Sequence, residues 1–133
     1  MVNVSVTAAA AIVGGPTLPL SAKVGVESYV FSTVSLDAAG GASPEHEVAL
    51  LPDGGSVALL AVSSRLLDGT AADVSAVLKA GAEEKTVLVH GSLLVANTDA
   101  LKLMVTNGPR SIRLTNEGAK PIVVDVLAGR TSP

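Results

Sequence analysis

The side chains able to do chemistry are few, and their spacing does not gather them. His46 stands between Glu45 and Glu47, and His90 is the second of two histidines. A site of two histidines and one carboxylate needs His46, His90 and an acid to converge. In a strand Glu45 and Glu47 share one face and His46 points to the other. The ligand set is therefore split, and the segment reads as a solvated edge after Pro44. Calcium wants clustered oxygen ligands, and no Asp-x-Asp-x-Asp run is present.

Nucleophiles fare no better. Ser56 follows Gly54-Gly55 and Ser92 follows Gly91, but neither lies in Gly-x-Ser-x-Gly. Ser92 and His90 would share a strand face, yet no orienting acid or oxyanion arrangement can be read around them. His90-Gly91-Ser92 reads as a polar hairpin turn. Glu83-Glu84-Lys85 reads as a solvated tip after Gly81, not as an acid/base pair. No glycine-rich phosphate cradle occurs. The chain has no cysteine, which removes disulfides, thiolate metal sites and thiol nucleophiles. No catalytic residue, metal or cofactor is expected.

Composition points elsewhere. The 133 residues are 48% hydrophobic but only 16% charged, against about 25% charged in an average soluble domain. Met1 to Ala22 carries no ionisable side chain, and Lys23 is the first charge. Apolar, uncharged surface of this kind is commonly covered by another subunit. The net charge of −3 with scattered Lys and Arg gives no attraction to phosphate backbones or anionic lipid. No nucleic-acid or membrane partner is expected. Tyr29 and Phe31 are the sole aromatics, and both are expected in the core, leaving little for base or sugar stacking. The opening stretch is not a spanning helix, since Gly14-Gly15, Pro16 and Pro19 interrupt it. It lacks the basic n-region of a secretory signal, so the Asn3-Val4-Ser5 sequon is expected to be idle.

The elements that would carry these residues repeat every two positions. Val2, Val4 and Val6 alternate with Asn3, Ser5 and Thr7, and Val24 to Leu36 alternates likewise. Such alternation marks half-buried strands. Turn signals recur at Ala39–Pro44, Pro52–Gly55, Asp68-Gly69, Asn107–Pro109 and Asn116–Gly118. Strand-length apolar segments lie between them: 47–51, 56–63, 74–78, 86–90, 93–96, 101–106, 111–115 and 122–128. Two of these compete with helix: 68–79, with Ala71, Val74 and Leu78 on one side, and 98–106, with Thr98 as cap. The last two segments, joined by Asn116–Lys120, read as a terminal hairpin. Pro121 stands at its strand start, where a missing N–H costs little. Its return strand, apolar on both faces, suggests burial between sheets or against a partner.

The expected fold is an all-β, antiparallel, jelly-roll-like β-sandwich. Residues 1–22 form an extended apolar arm and residues 23–133 one sandwich domain. The arm residues expected to make assembly contacts are Val2, Val4, Val6, Ile12, Val13, Leu18 and Leu20, with residues 2–13 adding a strand to a neighbour's sheet.

The segments 93–96 and 101–106, then Ser111-Ile112-Arg113-Leu114-Thr115-Asn116-Glu117-Gly118 and 121–128, resemble the small β-sandwich structural proteins of tailed bacteriophages. These include head-decoration (cement) and minor virion proteins. The resemblance covers about the last 45 residues and implies no enzyme, many copies, and terminal arms that touch neighbours. The expected function is accordingly a non-enzymatic structural subunit. It would form a homo-oligomer such as a trimer and bind a larger lattice such as a major capsid protein, in the virion after assembly in host cytoplasm. The alternative is a small carbohydrate- or ligand-binding adhesion module.

Overall fold

The computed structural model describes residues 2–51 and 54–131. The Pro52-Asp53 half of the expected 52–55 turn lies outside the described residues. Ten strands and one helix are described: β1 (Val2–Ala11), β2 (Thr17–Val26), β3 (Ser28–Leu36), β4 (Glu45–Ala49), β5 (Ser56–Leu66), β6 (Asp73–Ala80), β7 (Glu83–His90), β8 (Ser92–Val95), α1 (Thr98–Met104), β9 (Ser111–Thr115) and β10 (Ile122–Thr131).

Strands β3 to β10 form the sandwich. One sheet has the order β3-β10-β5-β8 and the other β4-β9-β6-β7. The antiparallel pairs β3/β10, β4/β9, β5/β8 and β6/β7 nest inside one another like a single long hairpin. Pairing of β10 with β5 and of β9 with β6 rolls that hairpin into two sheets. This is a jelly roll. Alternate residues meet between the sheets: Val34 and Leu36, Leu60 and Val62, Val74, Ala76 and Leu78, Ile112 and Leu114, and Ile122, Val124 and Val126. All are buried. Removing this apolar area from water is the main stabilising term.

The rolling explains two departures from the sequence expectations. Strands β9 and β10 are not a hairpin but lie in opposite sheets, and Asn116–Lys120 bridges the sandwich. Likewise His90-Gly91-Ser92 is a crossing between sheets, since β7 pairs with β6 and β8 with β5. Gly91, at φ 83°, supplies the left-handed backbone the corner needs.

Segment 101–106 is helical at its start, not a strand. Asn97, in extended conformation, accepts a hydrogen bond from the Ala100 N–H at 3.1 Å, so Asn97 and not Thr98 is the cap. Leu101 and Val105, four apart, both point into the core. Asn107 and Gly108, at φ 63° and 83°, turn the chain out. Segment 68–79 holds no helix among the described residues: Val74 and Leu78 lie on β6, and Ala71 forms a bridge with Arg65 just before it.

The first two strands stand apart. β1 and β2 pair only with each other, in register from Val2 opposite Val26 to Ala11 opposite Thr17. The uncharged stretch expected as an arm over 1–22 is thus folded back on itself, and the ribbon it forms runs on to Val26. Pro19 is tolerated because both strands of a two-stranded ribbon are edges. A bend at Glu27 then leads into β3, where the Glu27 N–H bonds the Arg130 carbonyl at 2.8 Å.

Candidate functional site: an apolar ribbon and an apolar sheet face

Residues directly opposite in an antiparallel pair share a face. One face of the ribbon therefore carries Val2, Val4, Val6, Ala8 and Ala10 from β1 and Leu18, Leu20, Ala22, Val24 and Val26 from β2. Every one is apolar. The other face carries Asn3, Ser5, Thr7, Ala9 and Ala11 opposite Gly25, Lys23, Ser21, Pro19 and Thr17. An amphipathic ribbon normally packs its apolar side on something. Here only Val26, at 1% exposure, is buried. Val2, Leu18 and Leu20 are exposed, as are Ile12 and Val13 in the connecting loop, and Val4 and Val6 are half-buried. All seven residues expected from the sequence as contact positions are thus solvent-accessible. Five share the apolar face, and Ile12 and Val13 form the tip.

The ribbon raises the molecule's surface. Its 7351 Å² compares with roughly 6,400 Å² for a compact monomer of this mass.

The outer faces of the two sheets differ in kind. On β4-β9-β6-β7 the cross-strand rows include Glu45, Thr115, Ser75 and Leu88, then Glu47, Arg113, Val77 and Thr86. Lys79 Nζ meets Glu47 Oε1 at 2.8 Å, and Arg113 stands between Glu45 and Glu84 at 3.8 and 3.6 Å. The Lys79 ammonium holds the Glu47 carboxyl below its ordinary value, by its hydrogen bond and then by its charge. This face is built for water.

On β3-β10-β5-β8 one row crosses all four strands as Phe31, Leu127, Ala61 and Leu94. The next row holds Tyr29, Gly129 and Leu59. Tyr29 and Phe31 are 57% and 59% exposed. Their expected place in the core is therefore corrected. Val34 and Leu36 take the inward parity of β3, which turns residues 29 and 31 outward. Beyond Phe31 the face becomes polar. Asp125 accepts from the Thr33 hydroxyl at 2.7 Å and from Arg65 Nη1 at 2.6 Å. Partial burial pushes its carboxyl up, but the Thr33 and Arg65 hydrogen bonds and the Arg65 charge outweigh this and leave it below the ordinary value.

The two apolar surfaces meet at the ribbon base. Gly129 has no side chain where Val26 comes in, and Leu59, fully buried, lies beneath. Val26 thus seats the ribbon on the outer face of the sheet, beside Tyr29.

The chemistry-bearing residues are scattered. His46 lies exposed on β4, apart from any group of three metal-ligating side chains, of which none occurs among the described residues. His90 pairs with Asp73 across β7 and β6, Nδ1 to Oδ1 at 3.0 Å, with both side chains about two-thirds exposed at 70% and 67%. The sequence reading missed Asp73, whose partner follows only from register. Ser92 stands opposite Ser63 in the other sheet. Glu83 is exposed beside the Gly81-Ala82 turn, and it also accepts from the Thr106 N–H at 2.6 Å, tying down the exit from α1. A groove of about 540 Å³ lies at one end of the sandwich, between the start of β6 and the 116–120 connection, and Asp73, Ser75, Leu88 and Lys120 line it. No aromatic ring lines it.

Comparisons with protein-family models, curated proteins and solved structures return no match for this chain.

Proposed function

We propose that the chain is a non-enzymatic structural subunit that self-associates and binds a larger protein lattice. In its most specific form this is a head-decoration (cement) protein of a tailed phage, working in the virion after assembly in host cytoplasm. The observation that carries this reading is the ribbon: ten paired residues a side, one face wholly apolar and, apart from buried Val26, at least partly accessible to solvent. An isolated two-stranded ribbon is marginal in water, so its ordered form makes sense as a part that another surface completes. The jelly roll itself, a fold that many unrelated proteins share, says only that a rigid platform holds the ribbon. The specific phage assignment rests on the resemblance in residues 93–128.

The test is light scattering behind size exclusion on the full chain and on a variant lacking residues 1–26. A discrete oligomer for the full chain and a folded monomer for the variant support the reading. Monomers in both cases sink the self-association half of it.

A second reading has one observation in its favour. Tyr29 and Phe31, two apart on one exposed face, stand next to the Thr33, Asp125 and Arg65 polar row, and sugars are held by such combinations of ring and hydrogen-bonding group. A glycan array with Phe31→Ala as the control tests it. Binding that the substitution removes would favour an adhesion module over a shell subunit.

A further inference from the structure

We propose that the apolar face of the ribbon in one copy of this chain lies on the outer face of the β3-β10-β5-β8 sheet of a second copy, over Phe31, Leu127, Ala61 and Leu94. The inference rests on the assembly reading above and names the partner and the receiving surface.

Three observations carry it. The first is a contact already made within one chain. Val26, the last residue of the ribbon's apolar face, is buried against Gly129 and Leu59 of that sheet face. The ribbon's chemistry and the sheet's therefore fit where they touch. Beyond Val26 the same ribbon face carries exposed Val2, Leu20 and Leu18, and beyond Gly129 the same sheet face carries exposed Tyr29, Phe31 and Leu94. Each surface continues past the contact without a cover.

The second is charge. Neither the ribbon's apolar face nor the Phe31–Leu94 row contains an ionisable side chain. The opposite outer face is laced with Glu45, Glu47, Glu84, Lys79 and Arg113. Covering that face with an apolar ribbon would strip water from ions and return nothing. The ribbon's choice between the two faces is thus set.

The third is area. A ten-residue ribbon is ~34 Å long and ~10 Å wide, so one ribbon covers roughly 340 Å². A stable interface needs about 800 Å² from each partner. One ribbon on one sheet falls short. When every copy both gives its ribbon and receives one, the covered area on each copy roughly doubles and approaches that figure. The arrangement is therefore reciprocal and not a single one-way contact: a dimer that exchanges ribbons puts both into one interface, whereas a ring would leave one ribbon at each.

The absence of native cysteine allows a clean test on the full chain. A Leu20→Cys chain and a Phe31→Cys chain are unfolded in urea, refolded together and bridged with a short bis-maleimide. The control replaces Phe31→Cys with Thr86→Cys, on the ion-paired face. A covalent heterodimer for Leu20 with Phe31, weak or missing for Leu20 with Thr86, and lost when the receiving chain also carries Leu94→Asp, supports the proposal. No heterodimer while light scattering still finds an oligomer overturns it and leaves the assembly reading standing. A monomeric full chain overturns both. A bridge formed inside one chain of the Leu20→Cys, Phe31→Cys double variant, at monomer mass, also overturns it, because the ribbon then covers its own sheet.

Discussion

Val26 Cγ1 lies 2.7 Å from the point where a Cβ on Gly129 would stand, and Leu59 Cβ is 3.4 Å from that same point. The missing side chain at 129 is what lets the ribbon sit on the sheet. Gly129→Ala should therefore push Val26 out. Overpacking of this kind costs about 1–3 kcal/mol. The measurements are a urea midpoint and the rate of tryptic cleavage after Lys23. A lower midpoint and faster cleavage are expected, and no change in either would show that Val26 does not anchor the ribbon.

Asn116 is the clamp of the crossover between sheets. It is almost fully buried. Its Nδ2 donates to the carbonyls of Asp37 at 2.9 Å and Lys120 at 2.8 Å, and its Oδ1 accepts from the Gly118 N–H at 3.0 Å. Asn116→Ala removes three part-buried hydrogen bonds to the backbone of exposed loop residues, with an expected cost of roughly 1–3 kcal/mol. Asn116→Asp should be worse at neutral pH, because a carboxylate oxygen would face two carbonyls. Chemical denaturation of both variants checks the order, and an Asp variant as stable as the wild type would refute the assigned hydrogen bonds.

Ser64 is the opposite case. It is buried in β5, and its Oγ has no hydrogen-bond partner among the described residues. An unpaired buried hydroxyl is a cost. Ser64→Ala should be neutral or stabilising by up to about 1 kcal/mol. A clear loss of stability would mean that the hydroxyl bonds something in solution.

Stability should fall in acid. Asp125 is held below its ordinary 3.8 by Thr33 and Arg65, against the upward push of burial. Asp68 is held below 3.8 by the hydroxyl and N–H of Thr70, and Glu47 below 4.5 by Lys79. In each case the unfolded chain takes up protons more readily than the folded one. The contribution is complete above the ordinary values and is lost as pH drops through them and then through the lower folded values. Urea midpoints measured from about pH 6 to about pH 2.5 should decline below about pH 4.5, and Asp125→Asn should shallow the decline. A midpoint that holds or rises on acidification contradicts the ion-pair assignments.

Much of the sandwich was legible because alternation maps directly onto a sheet with one face in the core. Ser111–Thr115 and the start of β10 at Ile122 follow from it residue for residue. What alternation cannot carry is pairing. β9 and β10 are adjacent in sequence with a good turn between them, and only the rolling of the whole nested hairpin sends them to different sheets. Leu101-x-Leu103-x-Val105 has strand parity, yet the Asn97 cap and the core positions Leu101 and Val105 make the first part a helix. Tyr29 and Phe31 read as core because they are large and apolar, whereas Val34 and Leu36 set the parity of β3. The seven residues expected to make contacts were legible as apolar and uncharged. That five of them share one face was not, because it depends on β2 folding back through Gly14-Gly15 to pair with β1, whereas residues 1–22 read as a single extended arm.

The most direct test of the account compares the two faces of the ribbon. Molar mass by light scattering is measured for the full chain, for an apolar-face variant (Val4→Ser with Leu20→Ser) and for a polar-face variant (Ser5→Asp with Ser21→Asp). Expected are an oligomer for the full chain, the same oligomer for the polar-face variant, and a monomer with an intact jelly roll for the apolar-face variant. An oligomer that survives the loss of Val4 and Leu20 would contradict it, because the ribbon's apolar face would then not be what holds the copies together.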